Sequence, residues 1–227
     1  MITSGVERIL IIAPHADDEV LGCGGLIEKA CRHKNEVKVV VIAVGDITHP
    51  HSSEKVLAAT RIEELKNALA VLGCNDFEVM YNDKDSLLDT IPKNEIISKL
   101  DNIVNNYSPT MVFIPLPSYH QDHVVLFEAC FAALRPRPTQ SIKLIAMYEY
   151  PLISWYYQKF WNTGELYLDL SNTVHKKVEA FLQHKSQRRP PNHLISPESV
   201  LKWAEMRGLE IGLPYAEKYY ILRSHVL

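Results

Sequence analysis

Ile9-Leu10-Ile11-Ile12-Ala13-Pro14-His15-Ala16-Asp17-Asp18-Glu19 is the stretch on which the fold turns. An unbroken apolar run of this kind marks a strand covered on both faces. It passes directly into a histidine and three acids. The pattern recurs at Met111-Val112-Phe113-Ile114-Pro115, which leads to His120-Gln121-Asp122-His123. Ionisable groups therefore stand at the C-terminal ends of two predicted buried strands. In open α/β sheets that is where ligands bind.

Outward from these two strands the chain alternates. Strands are predicted over residues 8–13, 36–44, 77–80 and 110–115, with later ones over 142–148 and 166–170. Helices are predicted over 19–33, from a Ser52 or Ser53 cap to residue 72 with a stop at Gly73, and over 92–106, 120–134, 173–184 and 197–207. Alternation through the first 135 residues predicts an α/β fold, a mostly parallel sheet with right-handed crossovers and flanking helices. Arg135-Pro136-Arg137-Pro138 interrupts it and marks the start of a small C-terminal appendage. The expectation is a single domain over 1–227, with a core of about 1–135 and a part of about 136–227 that completes the pocket.

Composition narrows the function. A chain of 227 residues buries well over half of its unfolded surface and needs no disulfide or structural metal to fold. The formal net charge is −3 and no long basic run is present, which argues against nucleic acid as a partner. The four cysteines, Cys23, Cys31, Cys74 and Cys130, show no C-x-x-C spacing and read as thiols in a reducing compartment. There is no signal-peptide pattern at the N-terminus. No apolar stretch reaches the roughly 18 residues of a membrane span. The expected location is the cytoplasm.

The chemistry of the clusters points to a metal. A catalytic zinc takes three protein ligands and a water. His15 and Asp18 stand three apart at a strand-to-helix turn, and His120 and His123 stand three apart on what spacing predicts to be one helical face. His15, Asp18 and one of those two histidines make a site of two imidazoles and a carboxylate. Asp17 is left as a general base for the water. The remaining histidine is a candidate acid, with Asp122 holding its ring. Gly22, Gly24 and Gly25 invite a dinucleotide reading, but Ile27 occupies the last glycine position of G-x-G-x-x-G. Close helix packing is the better explanation.

The two motifs together resemble those of the PIG-L/LmbE family of zinc-dependent N-deacetylases, which act on N-acetylglucosamine units. Arg61 in Thr60-Arg61-Ile62-Glu63-Glu64, Asp85, His184-Lys185-Ser186-Gln187, Arg207-Gly208 and Tyr215-Ala216-Glu217 resemble further signatures of that family. The resemblance implies a Rossmann-like fold and one Zn2+ per chain held by His15, Asp18 and His123. It implies Asp17 as general base, His120 as acid or oxyanion-stabilising group, and Asp122 as the residue that orients His120. It implies Arg61 and Asp85 as substrate contacts and an N-acetylated sugar as substrate, and it leaves a homo-oligomer open.

Without the resemblance, Arg61 reads as part of a solvated helix face and Asp85 as a turn residue. His49-Pro50-His51 reads as a loop at the pocket mouth. Trp155, Tyr156, Tyr157, Phe160 and Trp161 read as core, subunit interface or a sugar-stacking surface. Gln187, Arg188 and Arg189 read as contacts to a substrate anion or to water. The expected activity is removal of an N-acetyl group from an N-acetylglucosamine-type sugar or conjugate. The rivals are a metal phosphoesterase and a catalytically silent metal-dependent sugar-binding protein.

Overall fold

The computed structural model describes residues 2–48, 54–138, 141–149 and 163–225. The chain runs β1 (Arg8–Ala13), α1 (Asp18–Arg32), β2 (Glu36–Ala43), β3 (Ile47–Thr48), β4 (Lys55–Val56), α2 (Ala58–Val71), β5 (Asp76–Tyr81), a 3-10 turn (Leu88–Thr90), α3 (Lys93–Tyr107), β6 (Met111–Pro115), α4 (Gln121–Ala133), β7 (Leu144–Tyr148), β8 (Gly164–Asp169), α5 (Val174–Phe181), α6 (Pro197–Leu209) and β9 (Ala216–Ser224). The main sheet has the order β5-β2-β1-β6-β7-β9-β8. Its first five strands pair in parallel, and β9 runs antiparallel between β7 and β8.

Strand order reverses at β1. It pairs with β2 on one side and with β6 on the other, in the register Ile9↔Met111 to Ile11↔Phe113. The connections leaving β1 and β6 therefore emerge side by side, at the switch point where α/β sheets bind ligands. Both ionisable motifs begin there.

Alternate residues of β1 feed opposite faces, as the two-residue period of a strand requires. Ile9, Ile11 and Ala13 pack with residues of α1, α2 and α5, whereas Leu10 and Ile12 pack with residues of α3 and α4. Each fully buried isoleucine or leucine contributes about 1.5–3 kcal/mol, so this two-sided burial holds the switch point rigid.

The glycines of α1 serve packing. A Cβ on Gly22 would lie 2.0 Å from Tyr148 Cδ2, and one on Gly25 would lie 2.3 Å from Leu170 Cδ2. A buried ion pair is laid against the same helix. Glu217 of β9 accepts from the Gly25 and Leu26 amides at 2.8 and 2.9 Å. Lys177 of α5 donates to Glu217 and to the Leu21 carbonyl, each at 2.8 Å. Full hydrogen bonding of both charges is what makes such a pair tolerable inside a protein.

Two local expectations need correction. The helix expected from a Ser52 or Ser53 cap begins at Ala58, after Leu57, and the Ala58 amide donates to the Asp46 carboxylate at 2.8 Å. Ser52 and Ser53 themselves lie outside the described residues. The helix expected from residue 120 begins at Gln121, and His120 is its N-cap in an extended conformation. Strand β9, which spacing did not reveal, separates β7 from β8.

Candidate active site

Three imidazoles and the carboxylates of Asp18, Asp85 and Asp122 converge where β1 and β6 end. The His15 ring centroid is 4.9 Å from that of His120 and 5.6 Å from that of His123. Asp18 Oδ2 lies 3.4 Å from His15 Nδ1 and 3.4 Å from His123 Nε2. One ligand atom from each of His15, Asp18 and His123 falls within 4.8 Å of the others. Two nitrogens and one carboxylate oxygen, all buried, are the donor set of a catalytic zinc, so these residues fit such an ion. A second group, His15, His120 and Asp122, meets the same distance limit and shares His15.

Asp122 differs from expectation. Its carboxylate does not hold His120. Asp122 Oδ2 lies 2.8 Å from His15 Nε2, and Oδ1 accepts from the Leu88 amide at 3.0 Å. His120 instead receives the Asp122 backbone amide on Nδ1 at 3.3 Å. The reason is geometric: as the N-cap, His120 turns its ring toward the first amides of α4, whereas Asp122, one residue into the helix, faces β1. A carboxylate on the far nitrogen of a metal-facing histidine fixes that ring's tautomer and orientation.

The electrostatics divide the groups. Burial disfavours charge on His15, but hydrogen bonds to Asp122 and Asp18, with the charges of Asp85 and Asp18, outweigh it and raise its pKa to about 10. Burial also opposes charge on Asp18, yet the charge and hydrogen bond of His123, and then His15, hold it well below the usual carboxylate range. Burial and the neighbouring Asp18 charge push Asp17 the other way, to about 7, against the fields of His184 and Arg61. His120 is lowered by burial and by the charges of His15 and His123. Two adjacent aspartates pushed in opposite directions are what a site needs if one binds a cation and the other exchanges protons.

Asp17 has an unusual backbone, φ 136° and ψ −28°, and its side chain makes no capping bond to α1. An L-residue in such a region costs about 1–3 kcal/mol. Its amide donates to Glu19 Oε2 at 2.9 Å, and Glu19 Oε1 lies 2.8 Å from His184 Nε2. Glu19 and His184 are both fully buried. Spacing gave neither a role, although each stands inside a quoted motif.

Arg61 does not lie on a solvated face. It is 3% exposed and donates through Nη1 to the Gly45 carbonyl at 3.0 Å and to Asp85. Asp85 Oδ1 is 4.0 Å from His15 Nε2, so Arg61 and Asp85 form a pair at the edge of the histidine cluster. Arg61 Nε is buried without a hydrogen-bond partner among the described residues. Arg189 donates through Nη1 to the carbonyls of Ser186, Gln187 and Arg188, within its own loop. Glu149, just beyond β7, binds Arg207 and Trp203 of α6. His49-Pro50-His51 and the aromatic group 155–161 lie outside the described residues.

Residues 10–134 match the model of the family described as PIG-L, GlcNAc-PI de-N-acetylase. The chain belongs to the PIG-L family. It is 30% identical to the uncharacterized deacetylase YaiS of Escherichia coli K12, with 82% of this chain and 96% of that one covered. It is 28% identical to the probable N-acetyl-alpha-D-glucosaminyl L-malate deacetylase 2 of Bacillus anthracis, with 80% of this chain and 81% of that one covered. The solved structure of N,N'-diacetylchitobiose deacetylase from Pyrococcus horikoshii, in complex with its inhibitor MPG, superposes with a TM-score of 0.74 at 25% identity and covers 95% of this chain and 84% of that one. The matched region contains both ionisable motifs, residues 15–19 and 120–123, together with β6 and all of β1 but its first two residues. Among the described residues no helix is long and apolar enough to cross a membrane.

Proposed function

We propose that this PIG-L protein is a zinc-dependent N-deacetylase of N-acetylglucosamine-type sugars or their conjugates, acting in the cytoplasm as a single domain. The observation that carries the reading is a division of labour between neighbours: Asp18 lies between His15 and His123, whereas Asp17, next to it in sequence, is buried in the fields of Asp18, His184 and Arg61 with no capping duty. The family relatives named as deacetylases of N-acetylated sugars support the choice of substrate class.

His15, Asp18 and His123 would hold the ion. When bound, it supplies Lewis acidity, which lowers the pKa of a water to about 7 and polarises a carbonyl. Asp17 takes the proton of the attacking water. Its carboxyl, free of any capping bond, is suited to accept that proton and pass it to the departing amine. His120 has Nδ1 occupied by the Asp122 amide, so its neutral ring carries a proton on Nε2. That N–H donates to the acetyl oxygen as negative charge develops there, an oxyanion-hole role that needs no imidazolium. Asp122 acts on His15 instead, holding the ring so that Nδ1 faces Asp18. Arg61 holds Asp85 at the edge of the histidine cluster, and this pair would face the sugar.

The rivals have less support. A phosphoesterase wants a second ion or several cations over the phosphate, and Arg61 is already paired with Asp85. A pure binding protein has no use for a base beside the metal. Zinc-loaded protein should release acetate and a free amine in equal amounts from at least one member of a panel of N-acetylglucosamine derivatives. Release of phosphate from phosphomonoesters or diesters, or sugar binding without product, would refute the assignment.

A further inference from the structure

We infer that Glu19 and His184 are positioning residues that clamp the Asp17 backbone and so free and aim its carboxyl; this rests on Asp17 being the base. An aspartate at a helix N-cap normally spends its side chain on the first amides of the helix. Asp17 does not: at φ 136° its side chain makes no capping hydrogen bond to α1. Such a conformation persists only where the surroundings over-determine it.

The clamp grips both ends of the residue. The Asp17 carbonyl accepts from Val20 and Leu21 at 3.1 and 2.9 Å. Its amide donates to Glu19 Oε2 at 2.9 Å. Two residues away, a glutamate could choose other partners, but its second oxygen is held by His184 Nε2 at 2.8 Å, and both side chains are fully buried. His184 is fixed in turn through its loop: the Ser186 amide and hydroxyl bind Glu64 of α2 at 3.0 and 2.6 Å. A chain of contacts therefore runs from α2 through the His184-Lys185-Ser186-Gln187 motif to the base. This gives that motif a physical task, to hold Asp17 in a shape it would not adopt alone.

The test uses the zinc-loaded full chain and the variants Glu19→Ala, Glu19→Gln, His184→Ala and Glu19→Ala/His184→Ala. Glu19→Ala should keep one zinc per chain and a KM near that of wild type, while kcat falls about 100-fold, as expected for a misplaced catalytic group. Glu19→Gln keeps an oxygen for the Asp17 amide and should recover kcat to within about tenfold of wild type. The double variant should lose clearly less than the product of the two single losses, because His184 holds the Asp17 backbone through Glu19, although its charge also reaches the Asp17 carboxyl directly. The Asp17 amide proton, bonded to a carboxylate, should resonate far downfield in a nitrogen–proton NMR spectrum. It should move upfield in Glu19→Ala and in His184→Ala, which also serves if Glu19→Ala does not fold. A kcat for Glu19→Ala within about threefold of wild type, losses that multiply in the double variant, or an unmoved Asp17 amide would overturn the inference. The amide signal needs no turnover. A clamp that reads correctly in a protein that releases no acetate would refute the deacetylase reading and leave the clamp standing.

Discussion

Asp122→Asn changes one oxygen to an NH2 group and should weaken zinc binding although Asp122 is not placed among the ligands. In the wild type the carboxylate does two jobs, accepting from the Leu88 amide at 3.0 Å and from His15 Nε2 at 2.8 Å. Asparagine has a single acceptor oxygen. If that oxygen stays on Leu88, the NH2 group faces His15 and favours the tautomer with its proton on Nδ1, the nitrogen that looks toward Asp18. The ring then presents a proton where the ion needs a lone pair. If the amide flips, the buried Leu88 amide is left unpaired, at a cost of about 1–3 kcal/mol in stability. Loss of a carboxylate behind a ligating histidine typically costs about 10–100-fold in affinity, or about 1.4–2.7 kcal/mol. Competition with a chromophoric chelator at fixed pH and salt measures this directly. A zinc Kd within about twofold of wild type would refute the reasoning and return Asp122 to the side of His120.

Removal of a ligand should be more severe: His123→Ala is expected to bind no stoichiometric zinc by metal analysis after dialysis. Zinc binding should also be pH-dependent. Without metal the His15 pKa is raised to about 10 and that of Asp17 to about 7, so calorimetry in buffers of different ionisation enthalpy should show at least one proton released per zinc at pH 7. The same shift sets a sign for stability. The raised His15 pKa stabilises metal-stripped protein fully below its ordinary value of 6.5, and this contribution is lost as pH rises through about 10. The rise in Tm on adding zinc should therefore be larger at pH 8.5 than at pH 6.5. Gly22→Ala should destabilise the fold. Its Cβ would lie 2.0 Å from Tyr148 Cδ2, and the Tyr148 hydroxyl is tied to the Ile12 carbonyl at 3.0 Å, so the ring has little room to yield. Overpacking of about 1–3 kcal/mol outweighs a helix-propensity gain of about 1 kcal/mol, which should lower Tm by a few degrees in thermal denaturation.

The parts of this account that were legible in the sequence share a cause. Strands β1, β2 and β6 are covered over Ile9–Ala13, Val39–Ala43 and Met111–Pro115 and read there as apolar runs, and the groups that follow β1 and β6 must emerge together once the strands are neighbours. The crowding of Gly22 and Gly25 was likewise implied by glycines inside a helix. What spacing could not show were partners chosen across the fold. Asp122 reaches His15 from 107 residues away, and His184 reaches Glu19 from 165. Arg61 looked solvated because α2 carries many charges, yet it turns inward to Asp85. Strand β9 escaped because its first residues, Ala216-Glu217-Lys218, mix charges into an otherwise apolar run. Those charges are the buried partner of Lys177 and the neighbours of Glu165 and Glu210.

Acetate release by Asp17→Ala carrying its full zinc tests the central claim most directly. The protein should still hold one ion per chain, since His15, Asp18 and His123 are intact. Turnover on the substrate found for the wild type should fall by about 10²–10⁴, the contribution of a positioned general base. A zinc-replete Asp17→Ala protein that frees acetate at the wild-type rate would show that the proton is taken elsewhere and that the separation of the two aspartates has been misread.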